Sequence, residues 1–280
     1  MFLNFIQVLS EIARTPADLN RYFFILTAGG SIILLTWLIS LTAGKVGDPL
    51  KNAPIRRHFL PIWLAPVLMM LWFFGIAAIG AYAQNKTAKE PVQYILSMVW
   101  YLFIIGFALV ICRTLFIHGL KGLGLRFRTI PKDLIYALLT LLAILPVIEM
   151  ALWMTELLGV ELKKHPSLIS LEQYPQVWMR VLIVTMTVGI TPIIEELIFR
   201  GLLQSTIRGI TRKPWVAILV TSILFASNHP PTHVFAIFFL SVAIGYSYEK
   251  SGSLIRAIFV HILFNGLSVL MTLLTTNPAN

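Results

Sequence analysis

Charge-free apolar blocks along this chain, such as residues 94–111, are too long to be one face of a soluble helix. A helix that crosses a membrane needs about 20 mostly apolar residues, whereas a membrane strand needs about 9–11 in strict alternation with polar ones. The blocks do not alternate, so the pattern predicts helices over residues 22–42, 60–83, 93–111, 134–158, 177–204, 215–228, 234–248 and 254–274. Glycine, proline and polar clusters separate them at 44–54, 85–91, 119–131, 164–175, 209–214, Pro230 with Pro231, and 251–253. The sixth and seventh segments hold 14 and 15 residues, about 21–23 Å of helix against a hydrocarbon core of about 30 Å. Their connection, His229 to His233, is therefore expected inside the membrane, where irregular backbone survives only if protein buries it or it lines a wet cavity. Residues 1–10 are apolar without a basic leader and read as a helix lying in the interface, not as a signal peptide. The expected fold is all-α, a polytopic transmembrane bundle of about eight helices including a short hairpin.

Composition agrees with this. Of 280 residues 58% are hydrophobic and 12% charged, with mean hydropathy +0.83. A soluble domain carries roughly 45–50% and about 25%. A soluble enzyme, a disordered chain and a disulfide scaffold are excluded. The net charge of +10 needs no nucleic acid, because basic residues gather in cytoplasmic loops. Counted alternately, with Arg180, Arg200 and Arg256 inside helices assigned to the nearer loop, the odd-numbered loops hold 15 of the 22 Lys and Arg and the other loops and tails hold 7. Both termini are then expected outside the cytoplasm, in a cell inner membrane. The single Cys112 cannot form an intrachain disulfide and reads as a small packing residue.

The fifth segment places two adjacent carboxylates, Glu195 and Glu196, inside an apolar helix. A central charge costs about 2.5–3.5 kcal/mol even on mild insertion scales, and such groups are by default functional. Arg200, four residues after Glu196, shares its face and can hold one carboxylate ionised, whereas Glu195 points about 100° away. Counted from the loop at 209–214, Glu195 and His229 lie about 20 and 22 Å along neighbouring helices, so they reach one level and can share a pocket. His261 and Asn265 are four apart on the last helix, about 10 and 16 Å in. Two bland readings stand beside these: a structural Glu196–Arg200 pair with Glu195 snorkelling, and a His261 that is simply a satisfied core residue. Glu149, with Glu156 seven residues on, either lines the cavity or makes a structural hydrogen bond. His58, His118 and His165 fall in loops and read as solvated; His233 lies just past the hairpin tip.

Glu195-Glu196-x-x-x-Arg200, Phe225-x-x-x-His229 and His261-x-x-x-Asn265 resemble, in order and spacing, the three motifs of the CAAX prenyl protease 2 and bacteriocin-processing (Abi) family of intramembrane proteases. The likeness covers about residues 190–266, with a weaker echo at 122–126. Residues 133–280 therefore read as the family-like membrane core, and residues 1–132 as an interfacial helix with three helices of no named kinship. The resemblance implies an intramembrane endopeptidase with a cytosol-facing cavity, working in peptide maturation, bacteriocin self-immunity or control of a membrane signalling protein. Its implied partners are a peptide or membrane-protein substrate, prenylated tails among them, and the lipid bilayer, with no nucleic acid. In the implied scheme Glu195 with His229 activates water, His261 and Asn265 donate to the oxyanion, and Glu196 with Arg200 holds the site. The family pattern equally implies a rival in which Glu195, His229 and His261 hold a divalent metal such as zinc. Two further classes remain at this point: a noncatalytic scaffold of the same fold, and a proton-coupled transporter using Glu195, Glu196 and Glu149.

Overall fold

The computed structural model describes residues 16–42, 48–84 and 89–275, so the interfacial helix expected over residues 1–10 lies outside the described residues. Among the described residues the fold is all-helical, and one isolated antiparallel bridge joins His58 to Phe116. The helices are α1 (Pro16–Thr42), α2 (Leu64–Ala83), α3 (Lys89–Leu115), α4 (Gly119–Leu123), α5 (Ile130–Leu157), α6 (Pro166–Gln173), α7 (Val177–Thr211), α8 (Pro214–Ser227), α9 (Val234–Ser251) and α10 (Leu254–Thr275). Seven of them are long and apolar enough to cross a membrane; α8, at 14 residues, is the short apolar one.

Two expectations are corrected. The seventh segment was expected to stop at residue 248, but α9 runs 18 residues to Ser251. Glu249 does not mark a solvated end: it is fully buried and ion-paired with Arg56, so the helix continues to Gly252, which closes it at φ +65°. His58 is half-buried, not solvated. Its Nδ1 accepts from the Leu60 N–H at 3.2 Å, so Nε2 carries the hydrogen and donates to Ser205 O at 2.9 Å. Burial holds its pKa below 6.5, helped by nearby Arg56 and opposed by the Ser205 carbonyl.

The core gathers on α7, which packs against α2, α3, α8, α9 and α10. In the apolar windows of α7 and α9, 39% and 44% of residues are buried, against 6% in α1, which is peripheral. Contact between α1 and α5 is close because Gly30 has no side chain; a Cβ there would sit 1.9 Å from Leu142 O. Thr27 Oγ1 donates to Glu149 Oε1 at 2.8 Å, which favours the structural reading of Glu149.

One end of the bundle is polar and tightly tied. Trp215 at the start of α8 reaches Asp48, Lys250 near the end of α9 donates to Pro49 O, and Arg56 meets Glu249. Beside them the turn between α9 and α10 locks onto the segment after α4, where Leu254 N–H donates to Gly124 O at 3.1 Å. Gly124 is required twice over: its φ is +105°, and a Cβ would meet Gly252 O and Leu254 N at 2.6 Å. Buried Asp133 completes the joint, accepting from Arg256 Nε, Ser253 Oγ and Thr129 Oγ1 at 2.6–2.9 Å. α8 and α9 thus form a hairpin whose tip, residues 228–233, lies far from this end.

Candidate active site

The backbone of α7 is irregular where the carboxylates stand. Residues Thr185–Ile190 and Leu197–Gln204 wind as wide π turns on either side of the α-helical stretch Thr191–Glu196. Such widened turns recur at functional sites because they re-aim side chains and free carbonyls. Pro192 supplies part of the cause: it has no N–H, so the carbonyl five residues back, Thr187 O, loses the donor a π turn would bring it. Asn265 of α10 provides one, its Nδ2 lying 2.8 Å from Thr187 O. On the other side, Ser205 Oγ donates to Arg200 O at 3.1 Å.

The two glutamates have different surroundings. Glu196 and Arg200 are both completely buried and paired at 3.0 Å through Oε1 and Nη1. Arg200 also donates from Nη2 to Ser241 Oγ and O of α9, at 2.7 and 3.1 Å, and its guanidinium lies 4.6 Å over the Phe225 ring. His261 Nδ1 lies 2.8 Å from the same Glu196 Oε1; the carboxylate accepts, so Nδ1 bears the hydrogen. Glu196 Oε2 is buried without a donor among the described residues. Glu195 instead keeps 13% of its side chain accessible and turns Oε2 to His261 Nε2, at 3.5 Å. With Nδ1 protonated, Nε2 of neutral imidazole is a lone pair, so a proton between the two belongs to Glu195 or makes His261 imidazolium.

His229 sits at the hairpin tip and reaches this centre through aromatic rings. Its ring is 4.8 Å from Phe225, which is 5.9 Å edge-on from His261. Nδ1 donates to Phe225 O at 2.9 Å, leaving Nε2 as the acceptor of a neutral ring. Glu195 pairs with His261 of α10, and among the described residues no hydrogen bond or ion pair joins it to His229. The structure brings Glu195, Glu196, Arg200 and His261 into one hydrogen-bonded and ion-paired group. His229 joins through Phe225, and Asn265 through the α7 backbone.

A zinc-type site asks for three convergent protein ligands at about 2.0–2.3 Å. Among the described residues no three His, Cys, Asp or Glu side chains form such a group. His261 and His229 each give Nδ1–H to an oxygen and leave Nε2 as the lone pair of a neutral ring, so the misfit lies in the spacing of these groups and not in their tautomers. As arranged, the described residues do not fit a resident metal.

The same geometry exposes a polar stripe that the motif spacing left unread. Glu196, Arg200, Gln204 and Arg208 follow at intervals of four on α7, facing Ser241, Gly245 and Glu249 at the same interval on α9. Gln204 Nε2 donates to Gly245 O and Glu249 Oε1 at 3.1 and 3.0 Å, Arg208 stands 3.8 Å from Glu249 Oε2, and Arg56 closes the stripe at the polar end. Four-residue periodicity of polar groups in two apolar helices is the signal that finds it. Tyr101 of α3, within electrostatic range of Glu195, carries no such signal.

The comparisons fall on this region. Residues 176–267 match the family model of the type II CAAX prenyl endopeptidases, Rce1-like. No curated protein and no solved structure matches the chain. The matched segment spans α7 to α10 up to the turn after Asn265 and contains all seven named motif residues. Residues 176–267 are therefore similar to the Rce1-like, type II CAAX prenyl endopeptidase family, and they lie within a helical bundle in which seven helices are long and apolar enough to cross a membrane.

Proposed function

We propose that this chain is a CAAX-protease-like intramembrane endopeptidase in which Glu195 is the base that activates water. The observation that carries the reading is the unequal pair. Glu196 is saturated at Oε1 by Arg200 and His261 in a sealed position, while Glu195 keeps part of its side chain accessible and turns its carboxylate to an imidazole. A water hydrogen-bonded to Glu195 loses its proton to that carboxylate as its oxygen attacks the scissile carbonyl. His261, oriented by Glu196, shares the proton through Nε2 and returns it to the leaving amine. The free Nε2 of His229 is a second acceptor for the attacking water. Asn265 commits one amide hydrogen to Thr187 O and keeps another for the developing oxyanion. The substrate is a peptide bond presented at membrane depth, in a lipid-anchored tail or a membrane-protein segment.

The transporter reading loses its third relay group, since Glu149 is bonded to Thr27 on the peripheral side of α5. Cleavage of a peptide library by the full chain in detergent tests the proposal, run with and without chelator. Wild type is expected to cleave, chelator is expected to have no effect, and Glu195→Gln is expected to lose at least about a hundredfold in rate. Cleavage that vanishes with chelator and returns with zinc overturns the metal-free assignment; equal cleavage by Glu195→Gln overturns the assignment of the base.

A further inference from the structure

A second site lies at the polar end of the bundle, in a cleft of about 240 Å³ that shares no residue with the Glu195–His261 centre. Arg56, Arg57, His118 and Arg126 converge on it from three separate stretches of chain, Ile55 and Ile117 form apolar walls, and no carboxylate lines it. Its volume is several times the roughly 30 Å³ that a water molecule occupies, enough for a phosphate group. Arg56 is 8% exposed and held by Glu249, Ser205 and the face of the Tyr248 ring, 3.9 Å from its guanidinium carbon, so it is a fixed cation in the cleft wall. Arg57 and Arg126 are exposed and have no carboxylate partner among the described residues, so these two charges of the cleft are uncompensated.

We propose that this cleft binds a phosphate-bearing anion. Planar guanidinium groups suit a phosphate because they donate in pairs to its oxygens. The surroundings favour the headgroup of an anionic phospholipid as the source. Ile55 (72% exposed) and Ile117 (49%) stand in the walls, and Phe127 (78%) follows Arg126, so apolar surface for acyl chains adjoins the basic floor. Basic pockets at the ends of membrane helices bind such headgroups. The proposal does not depend on the protease reading.

The test uses the delipidated full chain in neutral detergent. Retention of dioleoyl phosphatidylglycerol and of dioleoyl phosphatidylcholine is followed by native mass spectrometry, and thermal stability is followed against inorganic phosphate. Arg57→Gln/Arg126→Gln is the variant, chosen because both side chains are exposed and neither makes an ion pair among the described residues. Phosphatidylglycerol is expected to be retained over phosphatidylcholine, with affinity at least about tenfold weaker in the variant. Stabilisation of wild type by inorganic phosphate, absent in the variant and without lipid retention, supports the anion site and assigns it to free phosphate. Equal retention of both lipids with no phosphate response, or a variant that binds as wild type does, overturns the proposal.

Discussion

Glu195 and Glu196 are neighbours in sequence with unequal surroundings: Glu196 is sealed and paired with Arg200, while Glu195 keeps part of its side chain accessible. Glu196→Ala leaves the Arg200 guanidinium sealed at 0% exposure with only Ser241 to accept from it. Breaking a buried pair from one side costs about 3–5 kcal/mol, so this variant is expected to melt many degrees lower or not to accumulate. Glu195→Gln removes no buried pair of that kind, and its melting temperature in detergent is expected to stay within a few degrees of wild type. A reversed order of the two melting temperatures contradicts the division of roles. The Glu196–Arg200 pair was readable because helical spacing of four is local arithmetic. The partners of His261 were not, since α10 docks on α7 from 65 residues away, and only packing decides which ring nitrogen meets which carboxylate.

At the scale of elements, two irregular helices shape the site. α7 keeps its π turns because α10 satisfies them: Asn265→Leu leaves Thr187 O without its donor at about 1–3 kcal/mol. Cleavage is expected to fall together with thermal stability in that variant, and stability unchanged against wild type contradicts the role given to Asn265. The loop between α1 and α2 is tied to α7 by His58, whose pKa is depressed below 6.5 in the folded chain. That stabilisation is complete above the unfolded value near 6.5 and drains away as pH falls through the lower folded value, because protonation removes the Nδ1 acceptor of Leu60 N–H. Melting temperature against pH is expected to decline below 6.5, and less steeply in His58→Gln. The helices themselves were legible from their apolar blocks to within a few residues. Where expectation missed, at His58, a loop position was read as solvated, but its partner Ser205 lies on a helix distant in sequence.

Across the whole molecule, the parts differ in how much the site needs them. α2 and α3 pack on α7 and help to bury the carboxylate region, whereas α1 touches the rest chiefly through α5. Gly30→Leu places a side chain where a Cβ already meets Leu142 O at 1.9 Å, so α1 is expected to leave its groove. Cysteine crosslinking between α1 and α5 should then fail while α7 to α10 keep their packing and cleavage persists; loss of cleavage on displacing α1 contradicts its peripheral place. Composition and run length made the membrane bundle legible, and three short motifs made the carboxylate centre legible. The basic cleft was not, because its arginines lie in loops where a surplus of positive charge already had an explanation in topology. The measurement closest to the central claim is single-turnover cleavage by wild type and Glu195→Gln, reconstituted in the same bilayer and matched for melting temperature. The account predicts cleavage by wild type and a rate at least about a hundredfold lower for the variant; equal rates in two equally folded proteins contradict it.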